Sequence, residues 1–177
     1  MKIESSVGLL SMSSEQYHQY PAVGHSGLVR IMRSPAHYQD YVANPHEPTP
    51  AMQLGTAFHA ALLEPDWFGQ TFVVAPKFDR RTKEGKAAAE AWEVENAGKT
   101  ALNPEQMAAI QSMAYLVRCH TGAARLLSNG FAEMSGFWGD PDTGIECKCR
   151  PDFLAMDGDA VTGIVDVKTC CDAGVDG

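Results

Sequence analysis

The segments RPD (residues 150–152) and IVDVKT (residues 164–169) carry the strongest structural signal in this chain. Residues 161–170 are rich in β-branched side chains, which predicts a buried strand. Because side chains two positions apart on a strand share a face, the Asp166 carboxylate and the Lys168 amine should point the same way. The segment therefore indicates a strand that carries an acid and a base on one side.

A second extended segment, residues 145–154, precedes this strand, and Asp157-Gly158-Asp159 between them has the residue types of a tight turn. A hairpin centred on Gly158 would place Asp152 opposite Ile164 and diagonal to Asp166. Diagonal neighbours on one face of a sheet lie roughly 7 Å apart. The pattern predicts that the two aspartates can share one site.

Two carboxylates and a lysine are the groups needed to hold a divalent metal ion beside a phosphodiester. Mg²⁺ takes oxygen ligands, so Asp152, Asp166 and the backbone carbonyl of Val167 could bind it together with phosphate oxygens. The Lys168 ammonium could orient the attacking water or neutralise the transition state. The same residues also fit a solvated hairpin in which Lys168 pairs with an aspartate. The motif makes phosphodiester hydrolysis a hypothesis.

A histidine upstream belongs to a helical pattern. Apolar residues recur at helical spacing from Leu54 onward, and Pro65 ends the run. His59 lies one turn from Gly55, so a small residue leaves room beside its ring. Such a histidine could be a metal ligand or a core residue with a backbone partner.

Taken together, these segments resemble the RecB-like branch of the PD-(D/E)xK nucleases. The motifs occur in the family's order: G-x-x-x-H-x-x-L-L-E at residues 55–64, R-P-D at 150–152 and V-D-V-K-T at 165–169. More closely, the chain from about Tyr17 onward resembles the RecE-like (exodeoxyribonuclease VIII) phage exonucleases. That closer resemblance is carried by residues 20–21, 34–38, 48–52, 72–83 and 149–152.

The resemblance implies a restriction-endonuclease-like α/β (α+β) fold, with a helix-rich first half followed by a mixed β-sheet. It also implies roles for single residues. Asp152 and Asp166 would be metal ligands, Lys168 the catalytic lysine and His59 the upstream histidine that completes the metal site. Glu133 would be a further acidic residue near the site, although a solvated strand residue fits that position equally well.

The activity that the resemblance implies is the hydrolysis of linear double-stranded DNA from its 5′ ends, in phage-type homologous recombination. Mg²⁺ would be the cofactor, with Mn²⁺ as a substitute. The expected partners are double-stranded DNA ends and a single-strand annealing recombinase of the RecT-like kind. The family also forms rings, which implies a homo-oligomeric ring here.

The chain departs from the family at its end. Members normally continue into a helix with a Gln and Tyr motif and a further strand, whereas Gly177 follows Lys168 by nine residues. We therefore expect a flexible segment over residues 1–16 and a nuclease domain over 17–177 that lacks the C-terminal part of the core. The alternative is a catalytically weak or inactive module that binds DNA ends or proteins.

The charge balance does not by itself favour DNA binding. Fourteen basic and 22 acidic side chains give a net charge of −8, which is unfavourable for nonspecific affinity to duplex DNA. A nuclease would need its basic residues concentrated where the DNA runs. Short basic clusters are also common on solvated surfaces. The candidates for DNA contact are Arg80, Arg81, Lys83, Lys148 and Arg150.

The location and redox state follow from absent signals. No apolar run approaches the roughly 20 residues of a membrane span, and the start of the chain lacks the pattern of a secretory signal. We therefore expect a cytoplasmic protein with no membrane association.

The five cysteines do not have the spacing of a metal cluster. Reduced, buried thiols are expected, with Cys147 and Cys149 on the apolar face of a strand.

Overall fold

The structure is a computed structural model that describes residues 8–44 and 47–170. Helices predominate before residue 126 and five strands follow it, as predicted for a helix-rich first half and a later sheet. The helices, numbered in chain order, are α1 (Ser14–Gln19), α2 (His25–Arg33), α3 (Pro35–Ala43), α4 (Pro50–Leu63), α5 (Pro65–Thr71), α6 (Lys83–Glu95), α7 (Pro104–Cys119) and α8 (Thr121–Leu126). The strands are β1 (Gly8–Leu10), β2 (Phe72–Val74), β3 (Thr100–Leu102), β4 (Gly130–Ala132), β5 (Ser135–Gly139), β6 (Glu146–Cys149), β7 (Phe153–Asp157) and β8 (Ala160–Val165).

The described residues divide into two compact units. The first, which we call the sheet unit, contains the described residues up to Pro48 together with Leu126–Val167. The second, the helical unit, contains Thr49–Arg125 and residues 168–170. The sheet unit therefore joins helices from the start of the chain to strands from its end.

Two three-stranded antiparallel sheets form the framework of the sheet unit. One has the strand order β1-β5-β6 and the other β4-β7-β8. The central strands carry the core residues, and Phe137 of β5 and Leu154 of β7 are 5% and 4% exposed. β8 is an edge strand, and the Ile164 side chain on it is 72% exposed. The prediction of a buried strand over residues 161–170 is therefore wrong in both its burial and its length.

The segment predicted as one strand over residues 145–154 forms two strands that belong to different sheets. β6 ends at Cys149 and β7 begins at Phe153, so the interruption coincides with the RPD segment. Pro151 has no N–H to donate to a ladder, and its ring restricts the residue before it. Asp152 consequently lies in the connection between the sheets and not on one strand with Lys148, as a single strand over residues 145–154 would have placed it.

The predicted hairpin of β7 and β8 is present, but its register differs from the prediction. Its turn consists of Gly158 and Asp159, with Asp157 paired to Ala160 and a positive φ of 57° at Gly158. A bulge between Ala155 and Met156 shifts the pairing further, so Leu154 lies opposite Ile164. The ladder ends at the Phe153–Val165 pair, so Asp152 and Asp166 are the residues that directly adjoin its last pair.

The start of the sheet unit is more regular than predicted. Within the segment expected to be flexible, residues 8–10 form β1 and pair with β5, and Ser13 caps α1 in a capping box with Gln16. Residues 1–7 lie outside the described ranges. Ser34 and Pro35 have the residue types of a helix start, and the Ser34 side chain caps α3 by accepting a hydrogen bond from the His37 N–H.

The helical unit is built around α4 and α7, which pack against each other. Five residues of α4 are buried, and Ile110 of α7 has no exposed surface. Arg118 in the last turn of α7 donates to the Ala61 carbonyl at 2.6 Å and to that of Leu62 at 3.2 Å. These bonds satisfy carbonyls at the end of α4, where Pro65 begins the next helix. Among the described residues, no helix is both long enough and apolar enough to cross a membrane.

The cysteines are free thiols at positions 119, 147, 149 and 170, as expected for reduced cysteines. The prediction that they are buried is wrong for Cys119, Cys149 and Cys170, which are exposed, whereas Cys147 is half-buried. Cys149 is the last residue of β6, which is an edge strand of a three-stranded sheet. Its side chain is exposed there and does not lie in a core. Cys171 lies outside the described residues.

Candidate active site

Asp152 is held at the end of the β7–β8 hairpin by hydrogen bonds on both sides. Its carboxylate oxygen Oδ2 accepts from the backbone N–H of Val167 at 2.5 Å. Its own backbone carbonyl accepts from the N–H of Glu133 at 3.0 Å. The Asp152 carboxylate therefore lies directly beside residues 166–168. This placement agrees with the register found for the hairpin.

Glu133 lies between β4 and β5 with a φ of 52°, the only positive φ outside glycine in the described residues. A glutamate in the left-handed region costs about 1–3 kcal/mol and persists only where surrounding contacts hold it. Its carboxylate binds Arg150 Nε at 2.8 Å. Carboxylate oxygens of Glu133 and Asp152 lie within 4.8 Å of each other. Two carboxylates at this separation form an oxygen-rich donor set of the kind that hard divalent cations prefer.

Arg150 and Lys148, both predicted to contact DNA, are bound within the sheet unit. Arg150 Nη1 donates to the Ser135 hydroxyl at 2.7 Å and to the Met12 carbonyl at 3.0 Å. Lys148 Nζ donates to three backbone carbonyls at the end of α1, those of Tyr17, His18 and Tyr20. The DNA contact predicted for these two residues stays untested, and their donors are used inside the protein.

Asp166 is exposed and lines a pocket of about 420 Å³ in the sheet unit. The pocket walls also carry His18, His25, Lys148 and Arg150. Burial, together with the charges of Lys148 and Arg150, lowers the pKa of His18, which keeps this imidazole neutral near pH 7. Burial also lowers the pKa of Lys148. The pocket therefore presents several nitrogen groups beside the Asp166 carboxylate.

His59 and Lys168 belong to the helical unit. His59 is half-buried on α4, and its ring meets that of Phe58 edge-on with centroids 6.2 Å apart. At Gly55, one turn earlier on α4, an added Cβ would lie 3.5 Å from the Thr169 hydroxyl oxygen. Thr169, which follows the exposed Lys168, therefore lies next to Gly55, the glycine of the G-x-x-x-H motif on α4.

The basic residues near the start of α6 are exposed. Arg80 forms an ion pair with Glu93 at 2.6 Å, and Arg81 one with Asp79 at 3.1 Å. Lys83 is the first residue of α6. Exposed ion pairs contribute little free energy, so these arginines could exchange their partners for phosphates at small cost. Their role in DNA binding stays a prediction.

Sequence reasoning missed the structural part played by Ser135. This residue is fully buried in β5, and its hydroxyl accepts the Arg150 hydrogen bond. A lone serine between apolar residues gives no signal of such a role, because its partner lies 15 positions away in the chain. The order of strands brings the two together.

Residues 24–176 match the model of a family described as a PDDEXK-like domain of unknown function (DUF3799). No curated protein matches the chain. The mixed α/β architecture agrees with the restriction-endonuclease-like fold of such domains, and PDDEXK nucleases generally depend on divalent metal ions. Because the match covers well over half of its residues, the chain belongs to this PDDEXK-like family, whose domain type is that of the PD-(D/E)xK nucleases.

Proposed function

We propose that the protein is a divalent-metal-dependent exodeoxyribonuclease that hydrolyses linear double-stranded DNA in the 5′ to 3′ direction. The observation that carries this proposal is the Asp152 carboxylate, which is bound to the Val167 N–H and lies within 4.8 Å of the Glu133 carboxylate. The PDDEXK-like family supports nuclease chemistry. The RecE-like order of the sequence motifs supports the choice of an exonuclease that acts on DNA ends.

In this proposal the carboxylates of Asp152 and Asp166, with the backbone carbonyl of Val167, hold Mg²⁺, for which Mn²⁺ can substitute. His59 is the further ligand that the G-x-x-x-H motif suggests. The bound ion would lower the pKa of water and stabilise charge on the phosphate oxygens. Carboxylate and carbonyl oxygens are suitable donors for such a hard cation.

The remaining residues act on the substrate and on the ligands. Lys168 orients the attacking water and offsets negative charge that develops on the phosphate. Glu133 adds a second carboxylate beside Asp152 and raises the negative charge that attracts the cation. The pocket next to Asp166 accommodates part of the substrate strand, because it adjoins a proposed metal ligand and carries nitrogen groups on its walls.

Substrate topology and end labels test this proposal. We expect purified protein with Mg²⁺ to shorten linear duplex DNA, to release a 5′ label before a 3′ label, and to leave covalently closed circles intact. Chelation should stop the reaction, and a Lys168→Ala variant prepared in parallel should be inactive. Cleavage of closed circles would contradict an exonuclease, and equal DNA loss with the variant would show a contaminating activity.

The basic residues at the start of α6 give a second prediction. Replacing Arg80, Arg81 and Lys83 together with alanine should weaken binding to duplex DNA of any sequence, because these residues are expected to contact phosphates. The slope of log affinity against log salt should become shallower by roughly one for each phosphate that the variant no longer binds. Binding titrations at several salt concentrations, in Ca²⁺ in place of Mg²⁺, measure both quantities.

The control for that experiment is Lys99→Ala, which removes an exposed charge from the same unit outside the cluster. It should leave the salt slope unchanged. If the triple variant binds DNA with the affinity and slope of the unchanged protein, the DNA runs elsewhere.

The protein partner proposed from the RecE-like resemblance follows from the DNA product of the reaction. Degradation of one strand from its 5′ end leaves a 3′ single strand, which a RecT-like annealing recombinase would bind. We also propose a homo-oligomeric ring that encircles the duplex, and sedimentation of the purified protein measures its oligomeric state.

A further inference from the structure

We propose that Arg150 is a positioning residue that fixes the Glu133 carboxylate beside Asp152 and thereby sets the affinity of the site for divalent metal ions. This inference rests on the proposed function, because it concerns the same site. Arg150 is not itself a proposed metal ligand. It acts through Glu133.

The guanidinium of Arg150 is fixed by acceptors other than Glu133. Nη1 binds the Ser135 hydroxyl and the Met12 carbonyl, and the group lies 5.8 Å from the centre of the Tyr17 ring. Only 12% of the Arg150 side chain is exposed. Because a guanidinium is planar with donors in fixed directions, these bonds also determine where Nε points.

The Nε donor points at Glu133. Nε binds Oε2 of Glu133 at 2.8 Å, and 19% of the glutamate side chain is exposed. The backbone of Glu133 is fixed as well, since its N–H donates to the Asp152 carbonyl. Glu133 therefore makes two hydrogen bonds to the RPD segment. Its backbone N–H binds Asp152, and its carboxylate binds Arg150.

Charge explains why this position needs support. The carboxylates of Glu133 and Asp152 lie within 4.8 Å and repel each other before a cation binds. Without the hydrogen bond from Arg150, the Glu133 side chain would rotate away from Asp152. The partly buried arginine opposes that rotation, so the oxygen donors are already in place when the metal ion arrives.

Two effects of Arg150 on metal binding have opposite signs, which makes the proposal testable. As a positive charge the residue repels a cation, whereas as a positioning group it favours binding. Arg150→Lys keeps the charge and loses the planar arrangement of donors. If positioning dominates, this variant should bind Mn²⁺ about 10–100-fold more weakly, the range found when partners of metal ligands are removed. If charge dominates, Arg150→Lys should bind like the unchanged protein and Arg150→Gln should bind more tightly.

The measurement is calorimetric titration of the full chain with Mn²⁺ in the absence of DNA. Glu133→Gln and the double variant Arg150→Lys/Glu133→Gln complete a double-mutant cycle. We expect Arg150→Lys to have no further effect on Mn²⁺ affinity once Glu133 is glutamine. An equal loss in both backgrounds would overturn the proposal, because Arg150 would then act independently of Glu133.

Ser34→Ala is the matched control. It removes the hydrogen bond from the His37 N–H to the Ser34 hydroxyl that caps α3 in the sheet unit, and neither residue is a proposed ligand. Its thermal stability should fall while its Mn²⁺ affinity stays within about two-fold of the unchanged protein. A loss of affinity equal to that of Arg150→Lys would mean general loosening of the unit and would overturn the proposal. Should Arg150→Lys not fold, Ser135→Ala takes its place in the same cycle, because it removes an acceptor that fixes the Arg150 guanidinium and leaves the charge unchanged.

The outcome separates this inference from the proposed exonuclease. Protein that binds Mn²⁺ tightly, loses affinity in Arg150→Lys and degrades no DNA would contradict only the exonuclease. Active protein in which Arg150→Lys binds Mn²⁺ normally would contradict only the positioning role. Absence of any Mn²⁺ binding by the unchanged protein would overturn both.

Discussion

If the proposed function is right, replacing Asp152 with asparagine should lower the rate of DNA hydrolysis by at least about a thousand-fold, since loss of a metal ligand removes several kcal/mol of transition-state stabilisation. The amide has nearly the shape of the carboxylate, and its oxygen can still accept the Val167 N–H. The fold should therefore be retained while the negative charge is lost. The initial rate of nucleotide release from linear duplex DNA in Mg²⁺ measures the effect, and circular dichroism confirms the fold.

Asp159→Asn is the matched control, because it makes the same chemical change in the turn of the same hairpin. Asp159 is exposed, and asparagine is well tolerated in such turns. This variant should retain the rate of the unchanged protein. If Asp152→Asn stays within about ten-fold of that rate, a deficit of less than about 1.4 kcal/mol, Asp152 is not a metal ligand in the reaction.

The second large effect is expected on stability, from Gly130→Ala at the start of β4. Gly130 has a φ of 155°, and an added Cβ would overlap the carbonyl oxygen of Leu154 and approach the Phe153 ring to 2.7 Å. Backbone strain and overpacking each cost about 1–3 kcal/mol, so we expect the free energy of unfolding to fall by about 2–6 kcal/mol. Urea denaturation followed by fluorescence measures the change.

Gly139→Ala provides the comparison, because a Cβ built at that position at the end of β5 meets no heavy atom of the other described residues within 4 Å, its chain neighbours aside. It should change the free energy of unfolding by no more than about 0.5 kcal/mol. Equal midpoints for Gly130→Ala and Gly139→Ala would show that β4 and β7 do not pair as described. Because β4 leads directly to Glu133, Gly130→Ala should also weaken metal binding in whatever protein remains folded.

The local elements of this fold were largely predictable from short segments. The side chains of Ser34 and Asn103 cap α3 and α7, each followed by a proline at the first helical position, as their sequences indicate. The β7–β8 hairpin was predicted from a turn flanked by β-branched residues and is confirmed. In each case the signal and its structural effect lie within a few residues of each other.

The register of that hairpin was predicted incorrectly for a physical reason. A two-residue turn and a single bulge each change which residues face one another, and a bulge depends on packing along the whole ladder. The division of residues 145–154 between two sheets is of the same kind. Pro151 indicated a break in pairing, but which sheet each half would join depends on strands far away in the chain.

The roles of Lys148 and Arg150 show most clearly what a local sequence pattern cannot predict. In the sequence, Lys148 and Arg150 were cations on the strand that leads to an expected metal site, so contact with phosphates was the natural prediction. In the structure, Lys148 binds carbonyls about 130 positions earlier, and Arg150 binds Met12 and Ser135. No local pattern encodes such partners.

The sequence by itself determined the residue types of the candidate site, the hairpin that lies between two of its acids and the starts of the main helices, because hydrogen bonding and backbone preference act over a few residues. Only the tertiary structure decided the hairpin register, the place of Glu133 beside Asp152 and the use of Arg150 inside the protein. These depend on groups that the folded chain brings together from distant positions, where a planar guanidinium or a buried carbonyl must find a partner.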